Sequence, residues 1–350
     1  MSLIILGFGK FAESPPFRNT FDMKKFFTLA LLLFITFSFV APEADAQRWT
    51  KRRQYGSVGV NIGAMNYFGD LVPEPDFTSF RFKATRPSVG ITYTYRYTPR
   101  ISARAGFNWG RITGDDALAA SPNEGENRGR YGRNLSFRND IKEITVVGIV
   151  DLFENRSSFQ RRPDFVPYAF LGVGVIHHNP KAYYESGSVG SGANDISTGW
   201  YALQPLGTEG QYAEGGDYPE PYKRVQVVVP FGLGVRYKID RYWDLSLEVG
   251  WRKTFTDYLD DVSTTYASKA NILNGGGENP TAAAILSDRS VEVFPGQAMP
   301  DPSGTPYNIV RGYGREGNQR GDTSDDDWYI TTGISLNYIL APRVRSPKFR

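Results

Sequence analysis

The segment "TDYLDDVSTTY", residues 256–266, holds three carboxylates within five positions, among hydroxyls and tyrosines. Asp257, Asp260 and Asp261 could form a catalytic carboxylate pair, because two carboxyls in different environments can serve as acid and base. They could also supply oxygen ligands for a divalent cation, or mark the place where a strand becomes a loop. No base or further metal ligand stands at a spacing that supports either chemistry, so we expect no catalytic role.

The two histidines, His177 and His178, are adjacent and stand near the end of a predicted strand. Neighbouring strand residues point to opposite faces, so the two cannot chelate one metal ion, and we expect a surface or interface position. A rim protease that combines one of them with Asp260 and Asp261 is conceivable, but no spacing supports it. We therefore predict no enzymatic activity, no catalytic or metal site and no cofactor.

The acidic segment "GDTSDDDW", residues 321–328, lacks the regular ligand spacing of a dedicated calcium loop. We interpret it as a solvated acidic loop base. Weak divalent-ion binding at the rim is the alternative.

Residues 23–46 have the pattern of a secretory signal peptide. Lys24 and Lys25 precede an apolar run at 26–40, and a small-residue pattern predicts cleavage after Ala46. Fifteen residues are fewer than the roughly 20 that a membrane-spanning helix needs. We interpret residues 1–22 as a misassigned upstream extension, which leaves 47–350 as the mature domain.

The composition narrows the class of protein. Because the chain has no cysteine, disulfides, thiol catalysis, Cys-based metal sites and a lipoprotein anchor are excluded, and an exported chain of this kind suits a Gram-negative envelope. The net charge of +3 is too small to argue for nucleic-acid binding. An aromatic content of 14% with 37 glycines favours strands and turns.

Strict alternation predicts strands. In "SVGITYTYRY", residues 88–97, and "ISARAGFNWG", residues 101–110, apolar side chains occupy one face and Gly, Ser, Thr, Asn and Arg the other. Strand-like runs recur at 57–65, 141–153, 166–176, 225–239, 245–252 and 328–338. Eight strands make the smallest usual outer-membrane barrel. We predict an all-β fold, an eight-stranded antiparallel transmembrane β-barrel.

The connections between these strands alternate in length. The short connections are 98–100, 154–164 and 240–244, and the long connections are 68–86, 112–139, 179–223 and 257–327. This alternation indicates short periplasmic turns and long extracellular loops. Aromatic residues stand at both ends of the strands: Tyr97, Trp243, Tyr338, Trp109, Trp251 and Trp328. Gly-rich segments such as "ESGSVGSGAND" and "NGGGENPTAAA" predict flexible surface loops.

The face opposite the apolar one decides between a membrane barrel and a soluble one. A soluble barrel of lipocalin type would bury large apolar side chains inside, whereas here that face is small, polar or charged. An eight-stranded barrel is filled by its own side chains. We therefore predict an interior ion-pair network that plugs the lumen, with a gated polar path as the alternative. Its members would be Arg96, Arg104, Arg236, Glu248 and Arg252.

Longer strings carry a family resemblance: "NYFGDL" (66–71), "RPSVGITYTYRY" (86–97), "RNLSFRNDIKE" (133–143), "VPYAFLGVGVIHHNPKA" (166–182), "LQPLGTEGQ" (203–211) and much of 228–266. Together they resemble the Bacteroidetes outer-membrane barrel family that includes PorG of the type IX secretion system. The resemblance implies a non-enzymatic outer-membrane subunit of a protein secretion and gliding apparatus, associated with periplasmic ring proteins. A small pore, a receptor or a surface-adhesion barrel is the alternative.

Two groups of residues are candidate contacts under this resemblance. Basic residues near the chain ends would face the periplasmic ring: Arg52, Arg53, Arg343 and Arg345. A second group falls at the outer rim: Thr208, Glu209, Gln211, Asp257, Tyr258, Asp260 and Asp261. The rim group would either contact a partner, such as an outer-membrane translocon, or fold the loops over the barrel mouth.

Overall fold

Eight long antiparallel strands close on themselves. The computed structural model describes residues 54–71, 84–120, 128–188, 195–324 and 326–341, all within one unit, residues 49–350. The barrel strands are β1 (Tyr55–Phe68), β2 (Arg86–Arg96), β3 (Ile101–Asp115), β4 (Ser136–Asp151), β5 (Phe165–His177), β8 (Val225–Lys238), β9 (Trp243–Thr254) and β12 (Trp328–Leu340). They pair in the order β3-β2-β1-β12-β9-β8-β5-β4, and β4 pairs back with β3. The predicted eight-stranded antiparallel barrel is confirmed.

Large apolar side chains point outward from all eight strands. Ile62, at the middle of β1, is 68% exposed. We call this outward set the apolar belt: Val58, Val60, Ile62, Val89, Ile91, Tyr93, Ile101, Phe107, Trp109, Ile144, Val146, Phe165, Val173, Val175, Val225, Val227, Leu233, Tyr237, Trp243, Leu245, Leu247, Ile334, Leu336 and Tyr338. A lipocalin-type barrel would show the reverse arrangement.

Glycines on the inner face make room for large side chains from neighbouring strands. A Cβ built on Gly234 of β8 would lie 2.5 Å from Cζ of Tyr168 on β5. Tyr168 is 4% exposed and fills the lumen at this level. The alternation of glycine with bulky residues therefore follows from the small diameter of the barrel.

The two ends of the barrel differ. At the short-turn end the strands are joined by residues 97–100, 152–164 and 239–242, the second of which holds a 3-10 turn, Phe159–Arg161. At the long-loop end they are joined by residues 69–85, 116–135, 178–224 and 255–327. We call the described parts of these four long connections the cap.

The cap has secondary structure of its own. Strands β6 (Pro180–Tyr184) and β7 (Gly199–Ala202) extend the sheet beyond β4, and β10 (Ala298–Pro300) pairs with β11 (Asn308–Val310). The short helices are α1 (Asp116–Ala119), α2 (Arg128–Arg133), α3 (Lys269–Asn274), α4 (Pro280–Leu286) and α5 (Ser290–Val293), followed by a 3-10 turn, Pro295–Gln297. Within the described ranges, every helix is too short or too polar to cross a bilayer.

The prediction of a flexible loop at 274–284 is wrong. The Asn279 side chain accepts a hydrogen bond from the Ala282 amide at 3.0 Å and caps α4, with Pro280 in the first turn. Three alanines of this helix pack in a second hydrophobic core: Ala282, Ala283 and Ala284, together with Tyr184, Leu203, Leu206, Ile272, Ile285, Leu286 and Tyr307. The helix forms because alanine has the highest helix propensity and because its apolar face is buried.

Several predictions fall outside the described residues. They are the upstream extension 1–22, the signal peptide 23–46 and the four basic contact residues, Arg52, Arg53, Arg343 and Arg345. Most of the other Gly-rich segment, "ESGSVGSGAND", also lies outside them, at 189–194.

Candidate functional site

The lumen of the barrel contains ion pairs. Asp151 lies between Arg96 and Arg236, with an ion pair to Arg96 and a distance of 3.1 Å to Nη1 of Arg236. Glu248 accepts hydrogen bonds from Arg104, from Nη2 at 3.1 Å, and from the Tyr168 hydroxyl. The strands bring these charges together because residues of one parity point inward on each strand.

A fourth ion pair lies nearer the long-loop end. Nε of Arg252 is 3.3 Å from Glu143, which also accepts a hydrogen bond from the Tyr329 hydroxyl at 2.6 Å. The structure therefore places all five predicted lumen residues inside the barrel and adds Asp151 and Glu143 as their partners. The alternation of β4 could have identified these two acids, since both fall on its inward face.

The short-turn end is closed by its longest connection. Arg162 is 4% exposed and binds Asp244 at 2.7 Å while donating to four backbone carbonyls. Phe159 of the 3-10 turn packs on Tyr55 and Tyr242. Apart from the length of this connection, no pattern in the sequence predicts the closure.

The voids that remain among the described lumen residues are small, about 20 Å³ and about 50 Å³. One water needs roughly 10–15 Å³, so they can hold a few water molecules. The first is lined by groups such as Arg96, Arg104 and Arg236, and the second by Asn61, Asn108 and Thr145. The interior is polar enough to keep such water bound.

The long-loop end is filled by most of the acidic segment "TDYLDDVSTTY". We call residues 256–264 the mouth plug. Leu259 and Val262, 0% and 1% exposed, pack inside the barrel against Met65, Leu71, Ile112, Leu135, Phe137, Ile141, Ile176, Val228 and Tyr329. Nδ2 of Asn139 donates to the Leu259 carbonyl at 2.7 Å. The expectation of a small, polar inner face is therefore wrong at this end, where the interior is apolar and continues into the cap.

At the long-loop end of the barrel, two aspartate carboxyls bond to one tyrosine hydroxyl. The Tyr67 hydroxyl lies 2.7 Å from Oδ2 of Asp260 and 2.6 Å from Oδ1 of Asp327. A phenol has one proton to donate, so one of the two carboxyls must itself be protonated to complete both bonds. Burial raises the pKa of Asp260 and of Asp327 well above the ordinary value. The prediction of a solvated acidic loop is wrong for Asp327, which is fully buried.

Glu209 and Asp261 meet at Arg320. We call these three residues the cap lock. Nη1 of Arg320 donates to Oε1 of Glu209 at 2.8 Å and to the Asp261 carbonyl at 2.6 Å. Glu209 also accepts from the Ser263 amide at 2.9 Å and from the Thr264 hydroxyl at 2.7 Å. The cap lock therefore ties connection 178–224 to connection 255–327.

Asp261 adopts a left-handed backbone conformation, φ 71°, which aspartate tolerates better than most residues. Its carboxylate accepts from the Thr208 hydroxyl at 2.5 Å and the Tyr222 hydroxyl at 2.6 Å. Burial raises the pKa of Asp261 to about 6, although the Arg320 charge opposes that shift. The side-chain bonds hold the turn that directs Leu259 into the barrel.

The other two long connections join the same network through Arg133. Its Nη1 donates to the Arg320 carbonyl at 2.5 Å, and its Nη2 donates to the Asp70 carbonyl at 2.8 Å. Arg133 also forms a buried ion pair with Asp116 at 2.8 Å. All four long connections are thus bonded to one another.

A stack of three rings supports the cap. Tyr222 lies between Tyr258 and His178, with ring centroids 4.7 Å and 6.0 Å away. Burial lowers the pKa of His178 to about 4. His177 is exposed, as predicted for a surface histidine, whereas His178 is buried instead.

The remaining rim candidates also contact the network. Oε1 of Gln211 accepts from the Glu209 amide at 2.9 Å, and the Tyr258 hydroxyl donates to Glu209 at 3.2 Å. Asp257 is half-buried, and burial raises its pKa to about 9, helped by the nearby charges of Asp260 and Asp70. In the part of the chain that the structure describes, no group of three His, Asp or Glu residues is placed to hold a metal ion. The rim residues thus make contacts that fold the loops.

One family profile matches the chain. It is described as a domain of unknown function, DUF6089, and it covers residues 45–199. No curated protein matches.

Several solved structures are similar. The attachment invasion locus protein Ail of Yersinia pestis is 9% identical, with 82% of this chain and 97% of that chain covered and a TM-score of 0.31. Neisserial surface protein A is 9% identical, with 81% and 96% covered and a TM-score of 0.31. OprG from Pseudomonas aeruginosa is 10% identical, with 82% and 98% covered and a TM-score of 0.31. Likeness at this level carries no information about function.

Proposed function

We propose that this chain is a non-enzymatic β-barrel of the outer membrane of a Gram-negative bacterium, with its short-turn end in the periplasm and its cap outside. The apolar belt carries this proposal. Soluble monomers rarely expose apolar patches larger than a few hundred Å², and each large side chain left in water forgoes about 1.5–3 kcal/mol. A belt on all eight strands is stable only against another apolar phase, and lipid supplies one.

The proposed mode of action is binding rather than conduction. Ion pairs fill the middle of the lumen, Arg162 closes one end and Leu259 fills the other. A packed cap offers a fixed outer surface, which also favours a receptor or adhesion barrel as the second candidate function. A small open pore fits this geometry poorly, because the two voids, about 20 Å³ and about 50 Å³, are large enough only for water molecules.

The specific role we propose is that of a subunit of a protein secretion and gliding apparatus, the type IX secretion system. Support comes from the strings that resemble the PorG-containing family, such as "NYFGDL" and "LQPLGTEGQ". The proposed partners are the outer-membrane bilayer, periplasmic ring proteins and an outer-membrane translocon. Since Glu209, Asp260 and Asp261 are buried, a partner of the cap would contact the surface around them, and the ring would contact the basic residues near the chain ends.

Three measurements test the proposal. Heat-modifiable migration on a gel should show a folded barrel after extraction from membranes, and its absence would contradict the membrane assignment. Affinity isolation under gentle extraction should recover periplasmic ring proteins, and recovery should fall when Arg343 and Arg345 are both replaced by serine. Isolation of the barrel alone would contradict the secretion role. In planar bilayers we expect silence, and steady conductance would favour a pore instead.

A further inference from the structure

The outer wall of the barrel carries basic side chains immediately beyond the apolar belt. On β4 the outward residues are the even-numbered ones, so Lys142 and Arg138 both point away from the lumen. Lys181 of β6 is paired in register with Arg138 and lies on the same outward face. Three cations therefore lie along one side of the sheet.

The strand register gives the height of these residues above the belt. Phe107, Ile144, Val175 and Val227 form one outward row of the belt across β3, β4, β5 and β8. The next outward row is Trp109, Lys142, His177 and Val225. Two residues advance about 7 Å along a strand. Lys142 thus lies at the edge of the belt, where the headgroup region of a bilayer begins.

The charge of these cations is not balanced within the described chain. Arg111 and Asp140, on the row between Lys142 and Arg138, neutralise each other through hydrogen bonds of 2.6 and 3.1 Å. Among the described residues, no carboxylate forms an ion pair with Arg138, Lys142 or Lys181. An anion from outside the chain would supply the missing charge.

Aromatic rings lie beside these cations. Tyr183 of β6 and Trp200 of β7 are paired across the sheet, with ring centroids 5.3 Å apart, and are 41% and 45% exposed. The Arg138 guanidinium lies 3.6 Å above the centre of the Trp200 ring, its Nε is buried, and the side chain as a whole is partly exposed. Stacking fixes the plane of the guanidinium for a ligand that reaches its terminal N–H groups.

We propose that this wall patch, formed by Arg138, Lys142, Lys181, Tyr183 and Trp200, binds the phosphorylated sugar headgroup of a glycolipid in the outer leaflet. A guanidinium matches a phosphate with paired N–H donors, and lysines add point charges. Exposed aromatic faces suit the C–H faces of sugar rings. The acyl chains of the same lipid would lie on the adjoining belt, which is continuous with the patch. The inference rests on the proposed outer-membrane location.

The test uses the full mature chain in phosphatidylcholine nanodiscs that contain a minor fraction of bisphosphorylated lipid A or of its dephosphorylated form. Retained glycolipid is counted by native mass spectrometry after gentle release. The wall variant is Arg138→Gln/Lys142→Gln/Lys181→Gln. Its matched control is Arg128→Gln/Arg311→Gln/Arg315→Gln, which removes three exposed cations from the cap. Heat-modifiable migration scores insertion separately for every sample.

We expect the inserted wild type and the control to retain the phosphorylated glycolipid in preference to the dephosphorylated form. The wall variant should lose this preference, by roughly a hundredfold if each basic side chain contributes about fivefold. Equal retention of the two glycolipids by the inserted wild type would overturn the inference alone. Equal losses in the wall variant and the control would also overturn it, because any surface cation would then serve. A wild type that fails to insert would overturn the proposed membrane location as well.

Discussion

Arg320 and Glu209 form a buried ion pair, Nη1 to Oε1 at 2.8 Å, between side chains that are 2% and 0% exposed. The pair joins two long connections that leave the barrel from different strands. Each partner has further bonds, since Arg320 also donates to the Asp261 carbonyl at 2.6 Å and Glu209 accepts from two backbone amides. The four connections are consequently bonded to one another and form one folded cap.

Removing one partner of the cap lock should loosen the cap. In Glu209→Gln the buried Arg320 charge loses its closer carboxylate and keeps only that of Asp261, 3.8 Å away, which should cost about 3 kcal/mol of cap stability. Hydrogen exchange of the amides in 255–327 should become faster, while the barrel strands keep their protection. The control is Glu316→Gln, an exposed cap residue that accepts one hydrogen bond from Tyr218. Unchanged exchange in the Glu209 variant would show that the pair does not hold the cap.

Cap stability should fall as pH rises. Burial raises the pKa of Asp257 to about 9 and those of Asp70 and Asp261 to about 6, whereas an unfolded aspartate has a pKa of about 3.9. A carboxyl whose pKa is raised by folding binds its proton more tightly in the folded state. Its stabilising contribution is complete below about pH 4 and is lost as pH rises through the raised value.

The variant Asp257→Asn isolates one part of this pH dependence. The amide has no proton to lose, so the variant should resist cap opening better than the wild type at pH 9 and should differ little from it at pH 4. Proteolysis rates within the cap, measured across this range, give the comparison. Asp322→Asn, at an exposed cap position, serves as the control. His178 is uncharged in the folded and the unfolded chain above about pH 7, so a wild-type cap that becomes more stable between about pH 7 and 9 would contradict the assignment.

The barrel could be predicted from the sequence because apolar and polar residues alternate with a period of two along every barrel strand. All eight predicted strands occur. Each observed strand covers most or all of its predicted run, and β1, for example, spans Tyr55–Phe68. Parity alone places Arg96, Arg104 and Arg236 in the lumen. Parity also places Trp328 on the outward face, where it is paired with Phe68. Parity does not predict its burial, because Trp328 stacks on Phe68 and is only 9% exposed.

The cap could not be predicted because its packing joins residues far apart in the chain. Glu209 and Arg320 are separated by 111 positions, and no period relates them. Helix α4 lies in a segment whose glycines predict flexibility, and its order depends on burial of its alanines in the second core, which includes residues far away in the chain. A clue was present in "TDYLDDVSTTY", where Leu259 and Val262 are the apolar residues among the acids. These two residues enter the barrel, and the acids fix the turn around them.

The apolar belt should be sensitive to charge in a way that exposed residues of the cap are not. Ile62 at the middle of β1 is 68% exposed and Leu118 in α1 is 65% exposed. In a bilayer, Ile62→Arg should lower the free energy of unfolding by about 2–4 kcal/mol, because the charge lies near the midplane. Leu118→Arg should change it by less than about 0.5 kcal/mol. Reversible urea titrations in lipid vesicles measure both, and equal effects would contradict a belt that faces lipid.

The inner glycines should tolerate a methyl group only where space exists. In Gly234→Ala the new Cβ would lie 2.5–2.7 Å from three atoms of the Tyr168 side chain, and such overpacking costs about 1–3 kcal/mol. The same substitution made in a Tyr168→Ala background should cost much less, because the clashing ring is gone. Gly148 on the outward face of β4 is the matched control, since its nearest neighbour, the Leu171 carbonyl oxygen, would be 3.8 Å from an added Cβ. A double-mutant cycle without coupling would mean that Tyr168 does not fill the lumen beside Gly234.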